Sequence, residues 1–254
     1  MKATSNTHMT LQNRIRLSLE QVSRYEKDGF LVIENFVSHE EIDDFIAHET
    51  TRSGTPDLGL RAHEVDPQWK HLAIHPDVAG VAEQLLGGPP RIVQSMYIPK
   101  KAGEGEVGVA LHQDTLYLPN ESNTLMACWI AMSNTAAGNG GLCILPGSHL
   151  DGLRTAHKSG EGEHSSWTKT HLMRDRTGKE WEQEFFSFEI NDIDLSSLVK
   201  LDVPKGGGVC FTGLTIHGSY ANRSDTDRLA FAVHYVKEGT WVLRADVQET
   251  MAVK

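Results

Sequence analysis

Apolar positions change their spacing part-way along the chain. Up to about residue 90 they fall at helical intervals between start and stop signals; beyond Arg91 they come in short runs at strand spacing. Ser18-Leu-Glu-Gln is a capping-box pattern with Gln21 three residues after the cap, and it predicts a helix to Asp28, closed by Gly29. Phe30-Leu-Val-Ile then reads as a buried strand. A second box, Ser38 with Glu41, opens a helix to about Glu49, and a third helix fits Pro76 to Leu86 before Gly87-Gly88-Pro89-Pro90. Residues 1–17 lack periodicity and read as a flexible N-terminus.

The later segments are Ile92–Ile98, Val109–Leu118, Leu125–Ser133, Leu142–Leu145, Val199–Val203, Val209–Thr212, Leu214–Tyr220, Leu229–Val236 and Trp241–Val247. Turn signals separate them, among them Gly138-Asn-Gly-Gly, Pro204-Lys-Gly-Gly-Gly and Asn222-Arg-Ser-Asp. Eight or nine strands so spaced predict a mainly β fold, a barrel or jelly roll with flanking helices. One stretch breaks the rhythm: 151–184 is charged and Gly/Ser-rich with scattered aromatics. A loop this long serves either as a lid or as a plain surface insertion.

Charge narrows the partners. Lys and Arg total 24 against 34 Asp and Glu, a net −10, with no dense basic run, so nucleic acid and anionic membrane are expected to be repelled. The longest apolar run, Leu125 to Met132, is too short to span a bilayer. Cys128, Cys143 and Cys210 each sit in an apolar run and read as small buried hydrophobes. With no signal-peptide pattern at the start, the expected compartment is the cytoplasm.

Candidate chemistry centres on Leu111-His112-Gln113-Asp114. On a strand, residues two apart share a face, so His112 and Asp114 project together about 7 Å apart along the strand. A third ligand is available in His217. Two histidines and one carboxylate on one face of an octahedron make the facial triad of non-haem Fe(II) oxygenases, with three positions left open. Arg228 follows eleven positions on, across a turn-like Ala221–Asp227. If 214–220 and 228–236 form a hairpin, His217 and Arg228 lie opposite each other, roughly 5 Å apart between Cα atoms. An arginine beside a metal suits a dicarboxylic keto acid, whose far carboxylate takes the bidentate fork. The plainer alternative is a surface pair of Arg228 with Asp225 or Asp227.

Taken together, His112-Gln113-Asp114, the Trp129-Ile-Ala block, Gly141-Leu-Cys-Ile-Leu-Pro-Gly-Ser-His149 and His217-Gly-Ser…Arg228 resemble the phytanoyl-CoA dioxygenase (PhyH) family of Fe(II)- and 2-oxoglutarate-dependent oxygenases. Tyr25-Glu-Lys-Asp-Gly-Phe-Leu-Val-Ile resembles that family's usual start. The similarity covers roughly 18 to 245. It implies a double-stranded β-helix (jelly-roll, cupin-like) core in a single domain over 18–254, the insertion 151–184 included. It also implies Fe(II) held by His112, Asp114 and His217, with 2-oxoglutarate and O2 as cosubstrates and ascorbate in support. Arg228 and Ser219 would bind the distal carboxylate, while Met96, Gln113 and Trp129 match positions lining the cosubstrate pocket. One departure is Gly206-Gly-Gly-Val-Cys, where the family often has Gly-Asp.

The implied activity is hydroxylation, or a related oxidation, of a small organic metabolite, natural-product-like or amino-acid-like, with release of succinate and CO2. Related halogenases replace the carboxylate ligand by a small residue, and Asp114 argues against that outcome. Two rivals remain open. A catalytically silent jelly-roll binding module predicts no succinate formation. A redox-neutral cupin-type metalloenzyme predicts activity without oxygen and indifference to Arg228→Ala. Other histidines read more plainly: His149 as structural, His157, His164 and His171 as members of a solvated loop, and His234 as a satisfied core residue.

Overall fold

The computed structural model describes residues 15–55, 57–103, 107–160 and 166–253. Five α-helices occur among them: α1 (Leu19–Asp28), α2 (His39–Thr51), α3 (Ala62–Val65), α4 (Pro67–Ala73) and α5 (Pro76–Leu86). Helix α1 starts at its capping box, where Ser18 Oγ accepts the Gln21 N–H at 3.1 Å and Gln21 Oε1 accepts the Ser18 N–H at 2.9 Å. It ends at Gly29, whose φ of +81° and closeness to His149 leave no room for a Cβ. Helix α2 carries the second box, with Ser38 and Glu41. The short helices α3 and α4 were not anticipated; Asp66-Pro67 starts α4, the Asp66 carboxylate accepting the N–H groups of Gln68 and Trp69. Of the expected flexible N-terminus, 1–14 lie outside the described residues. Residues 15–17 are docked on α5: Ile15 N–H donates to Asp77 Oδ1 at 2.7 Å and Leu17 N–H to Gln84 Oε1 at 3.0 Å.

The strands are β1 (Phe30–Ile33), β2 (Pro90–Tyr97), β3 (Val109–His112), β4 (Met126–Ala131), β5 (Leu142–Ile144), β6 (His157–Lys158), β7 (Thr168–Arg174), β8 (Glu180–Phe186), β9 (Phe188–Glu189), β10 (Val199–Lys200), β11 (Gly208–Thr212), β12 (His217–Ser219), β13 (Ala230–Lys237) and β14 (Met251–Ala252). A six-stranded sheet runs β1-β11-β4-β13-β2-β14, and a four-stranded sheet runs β10-β5-β12-β3, with antiparallel pairing throughout. The expected jelly roll is what forms. The expected strand at Trp241–Val247 does not; Val242 makes a single bridge to Asn120, and a 3-10 turn takes Ala245–Val247.

Strand alternation decides what each sheet face does. On β4, Met126, Cys128 and Ile130 face the helices, joined by Phe231, Val233 and Tyr235 of β13 and by Phe45, Trp69, Leu72 and Val81. Phe45 meets Trp69, Tyr97 and Phe231 edge-on, with ring centroids 5.3–5.7 Å apart. Each such residue, fully buried, contributes about 1.5–3 kcal/mol of transfer energy. The opposite row, Ala127, Trp129 and Ala131 with Ala230 and Ala232, faces the small sheet. Alanines there leave space, and a cavity opens between the sheets. All three cysteines are free and buried; Cys128 and Cys210 pair across β4 and β11 with their thiols 3.2 Å apart. Among the described residues no helix is long and apolar enough to cross a membrane.

The insertion is built differently from the expected loop. Strands β7 and β8 pair as a hairpin from Thr168↔Phe186 to Arg174↔Glu180. Its composition misled because only one face is covered: His171, Met173 and Phe185 turn inward, while the alternate charged residues are exposed. Met173, Phe185 and Phe188 form a small cluster of their own.

Candidate metal centre and its cavity

His112 is the last residue of β3, and Asp114 opens a 3-10 turn, Asp114–Leu116, so the two do not share a strand face as expected. The turn swings the carboxylate back towards the imidazole, with Asp114 Oδ1 3.3 Å from His112 Nε2. His217 on β12 stands directly opposite His112 in the register, and its Nε2 lies 3.6 Å from the same oxygen. One ligand atom from each of the three residues falls within 4.8 Å of the others, and all three residues are buried.

Gly218 lets the strands come this close. A Cβ there would sit 2.7 Å from the Val109 carbonyl oxygen, a backbone atom with little freedom to yield. Gly218→Ala is therefore expected to push β12 off β3, lowering stability by ~1–3 kcal/mol and weakening metal binding. Thermal melts with and without added Ni(II) check both.

The donor set fits a cation. His112 Nδ1 is 2.8 Å from the Ala110 carbonyl oxygen and His217 Nδ1 is 3.0 Å from that of Thr215. A carbonyl only accepts, so each Nδ1 carries the proton and each Nε2 turns a lone pair towards Asp114. Burial drives the His217 imidazole down to about 4 despite the pull of Asp114, so the ring is neutral near pH 7. Burial alone would raise the Asp114 carboxyl; His217 and His234 nearby, with the hydrogen bond from His234, hold it well below the usual carboxylate range. Two lone pairs and a carboxylate oxygen converging repel one another unless a cation lies between them. Their 3.3 and 3.6 Å spacings approach the roughly 3 Å expected of cis ligands with metal bonds of about 2.1 Å.

The cavity around this cluster encloses about 820 Å3 and is lined by Met96, Trp129, Ser219 and Arg228 as well as the triad. The register aligns Met96, Ala232 and Trp129 across β2, β13 and β4. Arg228 is 1% exposed; its Nη1 donates to the Ile98 carbonyl at 2.9 Å, and its guanidinium carbon lies 5.7 Å from the Trp129 ring centre. The expected hairpin between His217 and Arg228 does not form. β12 pairs within the small sheet and β13 within the large one, while Arg228 bridges Lys100. The two residues thus reach the cavity from opposite walls. Arg228 is buried, not at the surface, and Asp227 accepts from Lys101 Nζ at 2.9 Å.

Gln113 is not brought to the cavity. Its amide N–H groups donate to the carbonyls of Gly152 and Leu214, and its oxygen accepts the Arg154 N–H, so the side chain staples loops together behind β3. Alternation from His112 turns it that way. His149 is likewise remote, its Nε2 3.0 Å from the Glu26 carbonyl. His157 is exposed, His164 lies outside the described residues, and His171 is 9% exposed and lines the cavity instead of standing in solvent.

Three contributions escaped the sequence reading. Lys100, 3% exposed, donates from Nζ to Ser219 Oγ at 2.9 Å and to the Tyr220 carbonyl at 2.5 Å. His234 holds Asp114 Oδ2 at 3.0 Å. Trp167, Lys169 and His171 give the hairpin a share in the cavity wall, against Tyr117 of the expected Val109–Leu118 segment, a tyrosine legible from sequence as a pocket neighbour; its ring is 5.8 Å from Trp167 and its oxygen accepts the Phe188 N–H. A signal for His234 was present: 228, 230, 232 and 234 share strand parity, which puts it on the face of Arg228.

Among solved structures, the chain is similar to the epimerase SnoN, determined in complex with Fe3+, alpha ketoglutarate and nogalamycin RO. The TM-score is 0.68 at 19% identity, over 88% of this chain and 84% of that one. Among curated proteins it is 31% identical over 182 residues to phytanoyl-CoA dioxygenase domain-containing protein 1 of Danio rerio. It is also 29% identical over 179 residues to phytanoyl-CoA dioxygenase 1 of Oryza sativa subsp. japonica. These matches take in 71% and 70% of the chain but only 56% of either relative's length. The family model described as phytanoyl-CoA dioxygenase (PhyH) matches residues 47–230, a stretch that contains the triad and Arg228, and the chain belongs to that family.

Proposed function

We propose that this protein is a non-haem Fe(II)- and 2-oxoglutarate-dependent dioxygenase that oxidises a small organic metabolite and releases succinate and CO2. The observation that carries the reading is the convergence of His112 Nε2, Asp114 Oδ1 and His217 Nε2 in a cavity whose wall includes a buried arginine. Ferrous iron bound there would supply activation of dioxygen, coupled to oxidative decarboxylation of the keto acid.

The chain's own residues supply the rest. His112, Asp114 and His217 hold the metal on one face and leave the cavity side open. Arg228 takes the distal carboxylate of 2-oxoglutarate through its guanidinium fork. Ser219 assists: Lys100 donates to its oxygen, which leaves the hydroxyl hydrogen available to an anion in the cavity. Met96 and Trp129, flanking the small Ala232, bound the space for the cosubstrate carbon chain. A five-carbon diacid fills only part of a cavity of about 820 Å3, and the remainder, walled by Trp167, Tyr117 and Phe188, receives the substrate. Neighbours on this fold, SnoN and the carbocyclase SnoK, come from nogalamycin biosynthesis, which favours a natural-product-like substrate here too.

Anaerobic titration of Fe(II)-loaded protein with 2-oxoglutarate tests the reading. A weak visible charge-transfer band that saturates with the keto acid is expected; no band with iron demonstrably bound would sink it. The hairpin's part as a lid has its own test. Replacing 168–186 with a short turn is expected to raise 2-oxoglutarate consumption unmatched by product several-fold, while Fe(II) affinity changes less than threefold.

A further inference from the structure

His234 is 5% exposed, and the chemistry proposed above gives it no task. It stands on the inner face of β13, in register with Gln94 on β2 and Ala127 on β4. The two oxygens of Asp114 are divided between neighbours. Oδ1 faces His112 Nε2 at 3.3 Å and His217 Nε2 at 3.6 Å, whereas Oδ2 is 3.0 Å from His234 Nε2. On the far side of the ring, His234 Nδ1 is 3.3 Å from Gln94 Nε2.

These contacts run in one direction. A carboxylate oxygen only accepts, so His234 Nε2 carries the hydrogen. The other ring nitrogen, Nδ1, faces the Gln94 amide nitrogen, whose N–H groups can only donate, so Nδ1 is the acceptor there. Gln94 donates to His234, and His234 donates to Asp114. Turning the Gln94 amide over would set its oxygen against the Nδ1 lone pair. The present arrangement leaves Gln94 Oε1 buried without a hydrogen-bond partner.

Tying down Oδ2 has a consequence for coordination. A carboxylate free at both oxygens can chelate a metal through both, and with two histidines it would occupy four positions of an octahedron. Held at Oδ2, it offers Oδ1 alone and occupies one, so three positions stay open. Resting on the metal centre assigned above, we propose that His234 is a positioning residue that restricts Asp114 to one-oxygen coordination and so keeps a position on the metal open beside the keto acid.

Cobalt(II) is a suitable probe, since its visible absorption reports coordination number without any turnover. The experiment compares Co(II) spectra and 2-oxoglutarate affinity at saturating cobalt for wild type, His234→Leu, His234→Gln and Gln94→Leu. His234→Leu is expected to alter the cobalt spectrum and weaken 2-oxoglutarate binding at least tenfold. His234→Gln, which keeps an N–H donor, stays within threefold of wild type, and Gln94→Leu falls between. A merely structural histidine would lower Tm but leave the spectrum and cosubstrate affinity of the loaded protein unchanged, and that result would overturn the proposal. So would a Gln variant as impaired as the Leu variant. If His234→Leu does not fold, the other two variants decide by the same criteria. Should wild type bind cobalt but not 2-oxoglutarate, the oxygenase reading fails, and His234 is still judged on the spectra alone. No cobalt binding by folded wild type overturns both.

Discussion

Asp114→Ala is expected to reduce succinate formation to background and to remove metal-dependent stabilisation altogether. Asp114 supplies the only anionic atom of the cluster, and its Oδ1 faces both ligand histidines. Without it, two neutral imidazoles remain for a divalent ion that prefers a charged oxygen beside nitrogen. A metal bound only to the folded state adds RT ln(1 + [L]/Kd), about 2.7 kcal/mol at a hundredfold excess over Kd. In a domain of this size that corresponds to a Tm gain of roughly 5–10 °C. Wild type should show a gain of that order with Ni(II) or Zn(II), and Asp114→Ala none. The comparison uses each protein with and without metal, so the loss of the His234 contact, which affects both states of the variant, cancels. A full metal-dependent shift in Asp114→Ala would remove the carboxylate from the ligand set and with it the facial-triad argument.

Local rules carried the sequence reading wherever one element satisfied itself. Capping boxes at Ser18 and Ser38 and the glycine stop at Gly29 concern backbone groups within a few residues, and the helices begin and end where those groups demand. Alternation likewise located β2, β4 and β13. What failed depended on partners distant in sequence. His217 and Arg228 were expected to face each other across a hairpin because an eleven-residue spacing around a turn permits one. In the fold, β12 finds β3 and β5 while β13 finds β2 and β4, a choice made by which sheet each strand completes. Asp114 was expected on a strand and lies on a 3-10 turn that Gln113 braces from behind through Gly152 and Leu214. The charged insertion hid a hairpin because a strand pair covered on one face alone leaves most of its residues polar. Lys100 carried no signal: a Lys100-Lys101 pair after a strand reads as solvated until Ser219 is known to lie beside Lys100.

Arg228→Ala is expected to raise the 2-oxoglutarate requirement by roughly one and a half to three and a half orders of magnitude while leaving metal affinity nearly unchanged. Truncating one member of a buried, hydrogen-bonded charge pair costs about 2–5 kcal/mol, and each 1.4 kcal/mol is roughly tenfold in affinity. The guanidinium is 1% exposed and packs over Trp129, so the alanine variant also loses packing, and its folded fraction must be measured alongside. Selectivity separates the two effects. Wild type should prefer 2-oxoglutarate strongly over 2-oxobutanoate, which has the same chelating end but no distal carboxylate. If Arg228 binds that carboxylate, the alanine variant loses the preference, because the two acids then differ by a group that nothing grips. A packing defect would weaken both acids together and leave their ratio intact. Arg228→Lys is expected to recover only part of the selectivity, since an ammonium supplies charge without the planar fork. Selectivity unchanged in Arg228→Ala would move the distal carboxylate elsewhere in the cavity, whose lining also holds Arg61, Lys169 and Arg244.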